Sequence, residues 1–294
     1  MNALTRPDAA RLRVGVVGTG RVGAVLGAAL LRAGHDVVAA SAVSAASRAR
    51  AAALLPGVPI LAPEQVVRAS TLVLLTVADD ALPDLVQGLA SVGSFQPGQL
   101  VAHTSGRHGL AVLEPARGTL PLALHPVLPF AGNAVDLARL TGASFGVTAP
   151  EMLRPIAEAL VLEMGGEPVW VSEQLRPLWH AALAHGANHL VTLVASAADL
   201  LRRAGVEDPA VVLGPLLGAA LDGALRSGDA ALTGPVSRGD AGTVAAHLSV
   251  LPDDVRPAYL ALARLTADRA LASGRLRAEQ AEGLLVALGS GVPA

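Results

Sequence analysis

The 294-residue chain contains no cysteine and no lysine. The first absence removes disulfides, thiolate nucleophiles and cysteine-based metal sites. The second removes Schiff-base chemistry and any lysine acid or base, because all 22 basic residues are arginine. Aromatic residues make up 2% of the chain, so Val, Leu and Ala must fill the cores. The mean hydropathy of +0.51 points to further apolar surface covered between subunits. Net charge is small too, a formal −2 with no arginine-rich block, so neither nucleic acid nor a membrane is an expected partner. Residues 1–11 carry two arginines and an aspartate but no apolar run. Later apolar runs are cut by Asp199 or Asp222 before about 18 residues accumulate. A cytoplasmic protein is expected, with histidine, carboxylates, hydroxyls and arginine left to do its chemistry.

Against these absences stands one dense motif. Leu12 to Val17 read as a buried strand that runs into Gly18-x-Gly20-x-x-Gly23. Val22, Val25, Leu26, Ala29 and Leu30 then recur at helical spacing up to Gly34. Strand, glycines and helix together predict a dinucleotide pyrophosphate site. Gly18 permits the tight turn, Gly20 lets the backbone approach the phosphates, Gly23 lets the helix pack, and the helix N-terminus offers N–H groups to the anion.

The βαβ rhythm continues with a strand over Asp36–Ser41, a helix over Ser44–Leu55 and a short strand over Val58–Leu61. Further strands are expected at Leu72–Val77, Leu100–His103, Leu120–Leu124, Ser144–Thr148 and Pro168–Val171, with helices from Leu82 and from Pro150 to Met164. Beyond about Ser172 only Ala/Leu-rich helical stretches follow. The expected architecture is α/β, a Rossmann-like doubly wound parallel sheet over residues 1–172, then an all-helical substrate and dimerisation domain over 173–294.

An NAD site places an acid about twenty residues beyond the glycines, at the end of the second strand. Here that end is Ala39-Ala40-Ser41-Ala42, and Asp36 comes too early. Ser41, Ser44 and Arg48 are instead suited to a 2′-phosphate, which favours NADP over NAD. The expected cofactor contacts are Gly18, Thr19, Gly20, Arg21, Val22 and Gly23 in the loop, Ser41, Ser44 and Arg48 beside the ribose, and Val77, Ala78, Asp79 and Thr104 at later strand ends. Asp79 and Asp80 could also cap the helix that follows them.

Two neighbouring strand ends carry polar clusters, His103-Thr104-Ser105-Gly106 and His125-Pro126, on the side where such sheets bind ligands. His125 suits proton transfer beside a nicotinamide; His103 reads as structural, and His35 and His108 as surface residues. At about 100° per residue, His180, His185, Asn188, Thr192 and Asp199 share one face of a long helix from Leu178 to Ala204. His185 and His189 have metal-ligand spacing but no third ligand, so no metal is expected. In Leu232 to Asp240, Arg238 could grip an anion or pair with Asp240, which could cap the next helix.

Taken together, Gly18 to Gly23, Val77 to Asp80, His103 to Gly106, His125-Pro126, the His180 to Asn188 helix and Leu232 to Asp240 resemble a bacterial family that joins a Rossmann-like NADP-binding domain to a helical domain of unknown function. More distantly the chain resembles prephenate dehydrogenases, pyrroline-carboxylate reductases and 6-phosphogluconate dehydrogenases. That resemblance implies a helical second domain and a homodimer formed through it. Ser105 and His125-Pro126 match a prephenate dehydrogenase pairing, but the following glycine is displaced to Gly132. The hydroxyacid dehydrogenases use a lysine four residues before an asparagine on the long helix; here Asn188 is preceded at that spacing by Ala184.

The resulting expectation is an NADP-dependent oxidoreductase that moves hydride to or from a small polar, anionic substrate in a cleft between domains. His125 would be acid or base, Ser105 and Asn188 would orient the reacting group, and Arg238 would hold the anion. The alternatives are a nucleotide-binding regulatory protein without redox chemistry and a deazaflavin-dependent enzyme.

Overall fold

The computed structural model describes residues 11–289; residues 1–10 of the N-terminal segment read above as having no apolar run lie outside the described residues. Its compact units divide at Ala187/Asn188, within the long helix that follows the last strand.

The first unit is built on seven strands, β1 (Arg13–Val17), β2 (Asp36–Ser41), β3 (Leu72–Leu75), β4 (Leu100–His103), β5 (Leu120–Pro126), β6 (Ser144–Thr148) and β7 (Glu167–Trp170). They lie in the order β2-β1-β3-β4-β5-β6-β7. Strands β3 and β4 are buried along their whole length, which is why they read as unbroken apolar runs rather than alternating ones. Helices α1 (Arg21–Arg32), α2 (Ala45–Leu54), α3 (Pro63–Ala69), α4 (Leu82–Ser91), α5 (Ala134–Arg139) and α6 (Arg154–Glu163) accompany the sheet. One apolar cluster joins Leu26 and Leu30 of α1 to Phe145 and to Leu160 and Val161 of α6. A second joins Val66, Val67, Leu82 and Val86 of α3 and α4 to Val73 and Val101.

Several expectations are corrected. Val58–Leu61 forms no strand and contributes a single bridge, Ala40 to Ile60; Pro59 has no N–H to extend a ladder. The sheet is not wholly parallel, because β6 runs antiparallel to β5. The chain between them holds only the six-residue α5, and a parallel return needs a full crossover. Strand β3 ends at Leu75, and at the next residue the Thr76 hydroxyl donates to the Gly18 carbonyl at 2.5 Å. Helices α3 and α5 carry too short a period to stand out in the sequence. His35 is buried, not a surface residue, and meets Glu163 at 2.8 Å.

Helix α7 (Arg176–Arg203) carries the division between units. The second unit continues through α8 (Pro209–Ser227), α9 (Pro235–Arg238), α10 (Ala241–Val250), α11 (Arg256–Ala272) and α12 (Ala278–Gly289). Its core is drawn from α9 to α12, with Val236, Val244, Leu260, Ala267 and Leu284 at the centre. Helix α8 buries only Pro209 and Leu213.

Candidate active site

The glycine loop follows β1 at the carboxyl end of the sheet. Gly18 adopts φ +97°, a conformation that L side chains rarely take. A Cβ on Gly23 would stand 2.2 Å from both the Gly18 carbonyl and the Thr76 hydroxyl, so no side chain fits there. Gly20 is the N-cap of α1 and provides no side-chain cap, which leaves the first N–H groups of a twelve-residue helix for an anion. A loop shaped in this way fits a dinucleotide pyrophosphate.

Thr19 faces inward instead. Its N–H and hydroxyl donate to the Ser41 carbonyl at 2.9 and 3.0 Å, so it braces the loop from behind. Ser41 is buried, and its hydroxyl accepts the Gly18 N–H at 2.9 Å. Ser44 caps α2 reciprocally with Ser47. Arg48 reaches back over the same loop to donate to the Val43 carbonyl at 2.9 Å. The end of β2 therefore carries hydroxyls and a guanidinium and no carboxylate. Arg21 and Val22 open α1. Asp79 and Asp80 do not cap α4, whose N-cap is Ala81; Asp80 pairs with Arg107 at 2.6 Å, and the His108 ring meets the Asp79 carbonyl at 3.0 Å. This clasp joins the Val77–Asp80 loop to the loop after β4, where the Thr104 N–H donates to the Leu75 carbonyl at 3.2 Å.

His125 ends β5 and is the centre of a cluster that the sequence only partly announced. Gly146 lies opposite it in the β5–β6 register, and a Cβ there would come within 2.7 Å of the Trp179 indole. Glycine thus lets that ring lie on the sheet and donate its N–H to His125 Nδ1 at 3.2 Å. His180, the next residue of α7, meets His125 edge-on with ring centroids 5.8 Å apart. Gly106 floors the pair: a Cβ would stand 2.6 Å from His180 Cδ2 and 2.8 Å from His125 Nε2.

Beneath them lies Arg176, fully buried. Its guanidinium donates to the carbonyls of Ser105 at 2.5 Å, of His108, and of Gly146 at 3.3 Å, and to the Thr148 hydroxyl at 3.0 Å. All are neutral acceptors. Burial lowers it to about 10, with Glu173 and Asp79 opposing from a distance, so it stays cationic near neutral pH. Burial, then Arg176, then His180 push His125 down to about 4, with Asp79 opposing. Ser105 is buried, with its hydroxyl accepting the His108 N–H at 3.1 Å. His103 is buried and bonded through Nε2 to the Gly109 carbonyl at 2.9 Å, the structural role expected of it.

Ser105 and His125 lie in the first unit, after β4 and near the end of its neighbour β5, while Asn188 and Arg238 belong to the second. Asn188 is exposed on α7, with its carbonyl accepting the Thr192 hydroxyl at 3.3 Å. Arg238 bonds the Thr233 carbonyl rather than Asp240; Asp240 caps α10 through the Thr243 N–H at 3.0 Å. The second unit also holds a groove of about 1050 Å³, largely apolar, between the later turns of α7 and α10 and α11, where His247 meets Tyr259 at 2.9 Å. Among the described residues no group of three or more His, Cys, Asp or Glu could hold a metal ion. Trp179 and Arg176 were missed; their signal was the pairing of an Arg-Pro-Leu-Trp-His helix start with a glycine at the centre of a β-strand.

Residues 3–126 match the model of a Rossmann-like domain, and residues 143–266 that of a domain of unknown function (DUF2520). No curated protein matches the chain. Among solved structures, a protein of Bacteroides fragilis named as an NADP oxidoreductase is similar at 20% identity and a TM-score of 0.73, over 88% of this chain and 98% of that one. A Thermotoga maritima protein is similar at 19% and 0.63, over 88% and 99%. A pyrroline-5-carboxylate reductase from Coxiella burnetii is similar at 15% and 0.54, over 95% and 97%. At such identities the likeness is one of fold.

Proposed function

We propose that this chain, a Rossmann-like domain followed by the DUF2520 helical domain, is an NADP-dependent oxidoreductase acting on a small polar, anionic carbonyl or imine compound or its reduced partner. The observation that carries the reading is a phosphate-shaped glycine loop at the same sheet end as a convergent His125–Trp179–His180 cluster. A bound nicotinamide would supply or accept hydride. The chain's own part is to bind the pyrophosphate with the α1 N-terminus, to meet the 2′-phosphate with Arg48 and the Ser41–Ser44 loop, and to hold the reacting oxygen or nitrogen at His125 beside Ser105. The buried Arg176 charge favours an anionic substrate and the negative charge that develops on a reduced carbonyl. Asn188 and Arg238 are the second unit's candidates for orienting and holding the anion. The names of the Bacteroides and Coxiella proteins agree with this class of reaction.

The test combines thermal shift with NADPH and NADH and an absorbance screen of keto acids, imines and aldehydes. NADPH should stabilise the protein at lower concentration than NADH, at least one compound should oxidise it, and His125→Ala should lose that turnover. Binding without turnover across a broad panel would mark a regulatory nucleotide-binding protein. Failure of either nucleotide to bind would leave the deazaflavin alternative.

We also propose that the chain is a homodimer through its helical unit. The support is the length of uncovered apolar surface on α7 and α8, including Leu190, Leu193, Leu216 and Leu225.

A further inference from the structure

We propose that His180 is the imidazole that carries the reaction's proton, and that His125 is a neutral hydrogen-bond donor that holds the reacting oxygen or nitrogen. The inference rests on the oxidoreductase reading and divides between two residues a role expected of His125 alone. It starts from the Trp179 bond. An indole N–H only donates, so His125 Nδ1, 3.2 Å away, is the acceptor, and the neutral ring carries its hydrogen on Nε2. Nε2 is also the atom that faces Gly106. For His125 to accept a proton at Nε2, its existing hydrogen would have to sit on Nδ1, against the Trp179 N–H. A doubly protonated ring meets the same conflict, because both of its nitrogens then donate. His125 can therefore give a hydrogen bond from Nε2 but holds no proton suited to transfer.

His180 lies over the same glycine, since a Cβ added to Gly106 would stand 2.6 Å from its Cδ2, the carbon bonded to Nε2. Among the described residues the Trp179 N–H is directed at His125 and not at this ring. His180 is half-buried and so keeps a route to solvent. The charged and titratable groups around the pair are Arg176 on α7, Glu173 just before it, Asp79 after β3, and His103, Arg107 and His108 around the end of β4. Arg176 is the fixed charge among them, and burial beside it keeps His125 neutral, with a value near 4. A neutral imidazole polarising a carbonyl is a known division of labour in catalysis.

In the reducing direction, a bound NADPH would supply hydride to the substrate carbon, forming its new C–H bond, and the C=O or C=N π pair would move onto the heteroatom held by His125. A ring N–H bond of protonated His180 then breaks as the new O–H or N–H bond forms. The neutral His180 regains its proton from water. The substrate gains two electrons and one proton beyond the hydride nucleus, and the nicotinamide loses the same two electrons.

The test is nitrogen NMR of the imidazole rings in ligand-free protein, compared among wild type, Trp179→Phe, His180→Gln and His125→Gln. We expect His125 to be the Nε2–H tautomer and neutral from pH 8 to 5. Trp179→Phe should erase the tautomer preference. An Nδ1–H tautomer in wild type, or His125 becoming cationic above pH 6, or full turnover by His180→Gln of a substrate found in the screen, would each overturn the proposal. Any substrate found in the screen adds a second readout. His125→Gln, whose amide can still donate, should keep at least tenfold more turnover than His180→Gln, and the latter should lose its pH dependence. Since the ring measurements need no cofactor, a failure of the oxidoreductase reading would show separately, as absent NADPH binding.

Discussion

Arg176 is a cation sealed in the first unit with only neutral oxygens as direct partners, and it ties three segments together: the loop after β4, strand β6 and its own helix. Its removal strands buried carbonyls, each of which costs about 1–3 kcal/mol when left without a donor. Arg176→Met is therefore expected to destabilise the first unit by about 3 kcal/mol or more in chemical denaturation. Lysine should rescue little, because an ammonium cannot reproduce the fork. A stability change within 1 kcal/mol would show that the network is ornamental. A second consequence concerns acid. His103 is pushed down to about 3 by burial and His125 to about 4, whereas both titrate near 6.5 when unfolded. The unfolded chain then binds more protons between about pH 6.5 and 4, so stability is fully present above 6.5 and falls as pH drops, by about 1.4 kcal/mol per pH unit per group. Thermal melts between pH 7.5 and 4.5 should show this slope, and His103→Gln, whose amide can still donate to the Gly109 carbonyl, should lessen it. At this scale the sequence showed His103, Ser105 and His125 but not what surrounds His125. Arg176 and Trp179 acquire their roles from a sheet register that places Gly146 opposite His125, and register between distant strands is not written in any local pattern.

The element proposed to bind the nucleotide is the β1–loop–α1 unit with the end of β2, and its strand–turn–helix form was the most legible part of the chain because Gly18, at positive φ, and Gly23, with no room for a Cβ, answer local steric demands. Gly23→Ala puts a methyl group 2.2 Å from the Gly18 carbonyl and the Thr76 hydroxyl, so either the loop or β3 must shift. We expect at least a hundredfold loss of NADPH affinity with the far-ultraviolet circular dichroism retained; unchanged affinity would mean that the loop does not bind the pyrophosphate. Arg48→Glu is the complementary test, aimed at the ribose. It should weaken NADPH by tenfold or more, by charge reversal beside a 2′-phosphate, and leave NADH nearly unaffected. Equal loss for both would place Arg48 in the fold rather than in recognition. Other elements were read less well. Helices α3 and α5, at seven and six residues, are shorter than two turns and leave too few apolar positions to define a period. The strand expected at Val58–Leu61 had the right composition, yet Pro59 and an edge position left it as one bridge.

In the whole molecule, apolar composition outruns what one chain covers. On α8, Val211, Leu216, Leu221 and Leu225 are 70, 62, 51 and 79% exposed, and an 18-residue window within Pro209–Arg238 reaches a mean hydropathy of 1.3, that of a membrane span, with only 6% of it buried. As a bilayer helix it is poorly built. Asp222 and Arg226 pair on its surface, and α8 ends at Ser227, before Gly228 at φ +55°, so about 19 residues remain where a span needs about 20 apolar ones. A second copy of the chain, as proposed, would cover the same surface without burying a charge in lipid, and the largely apolar groove along α7 in the second unit offers further surface of the same kind. Analytical ultracentrifugation should find a dimer at micromolar concentration, and Leu216→Glu with Leu225→Glu should shift it at least a hundredfold toward monomer while leaving NADPH binding by the first unit intact. A wild-type monomer that floats with neutral liposomes would assign the helix to a membrane instead. A soluble monomer that resists aggregation would leave this apolar face without a function, and the dimer proposal would be withdrawn.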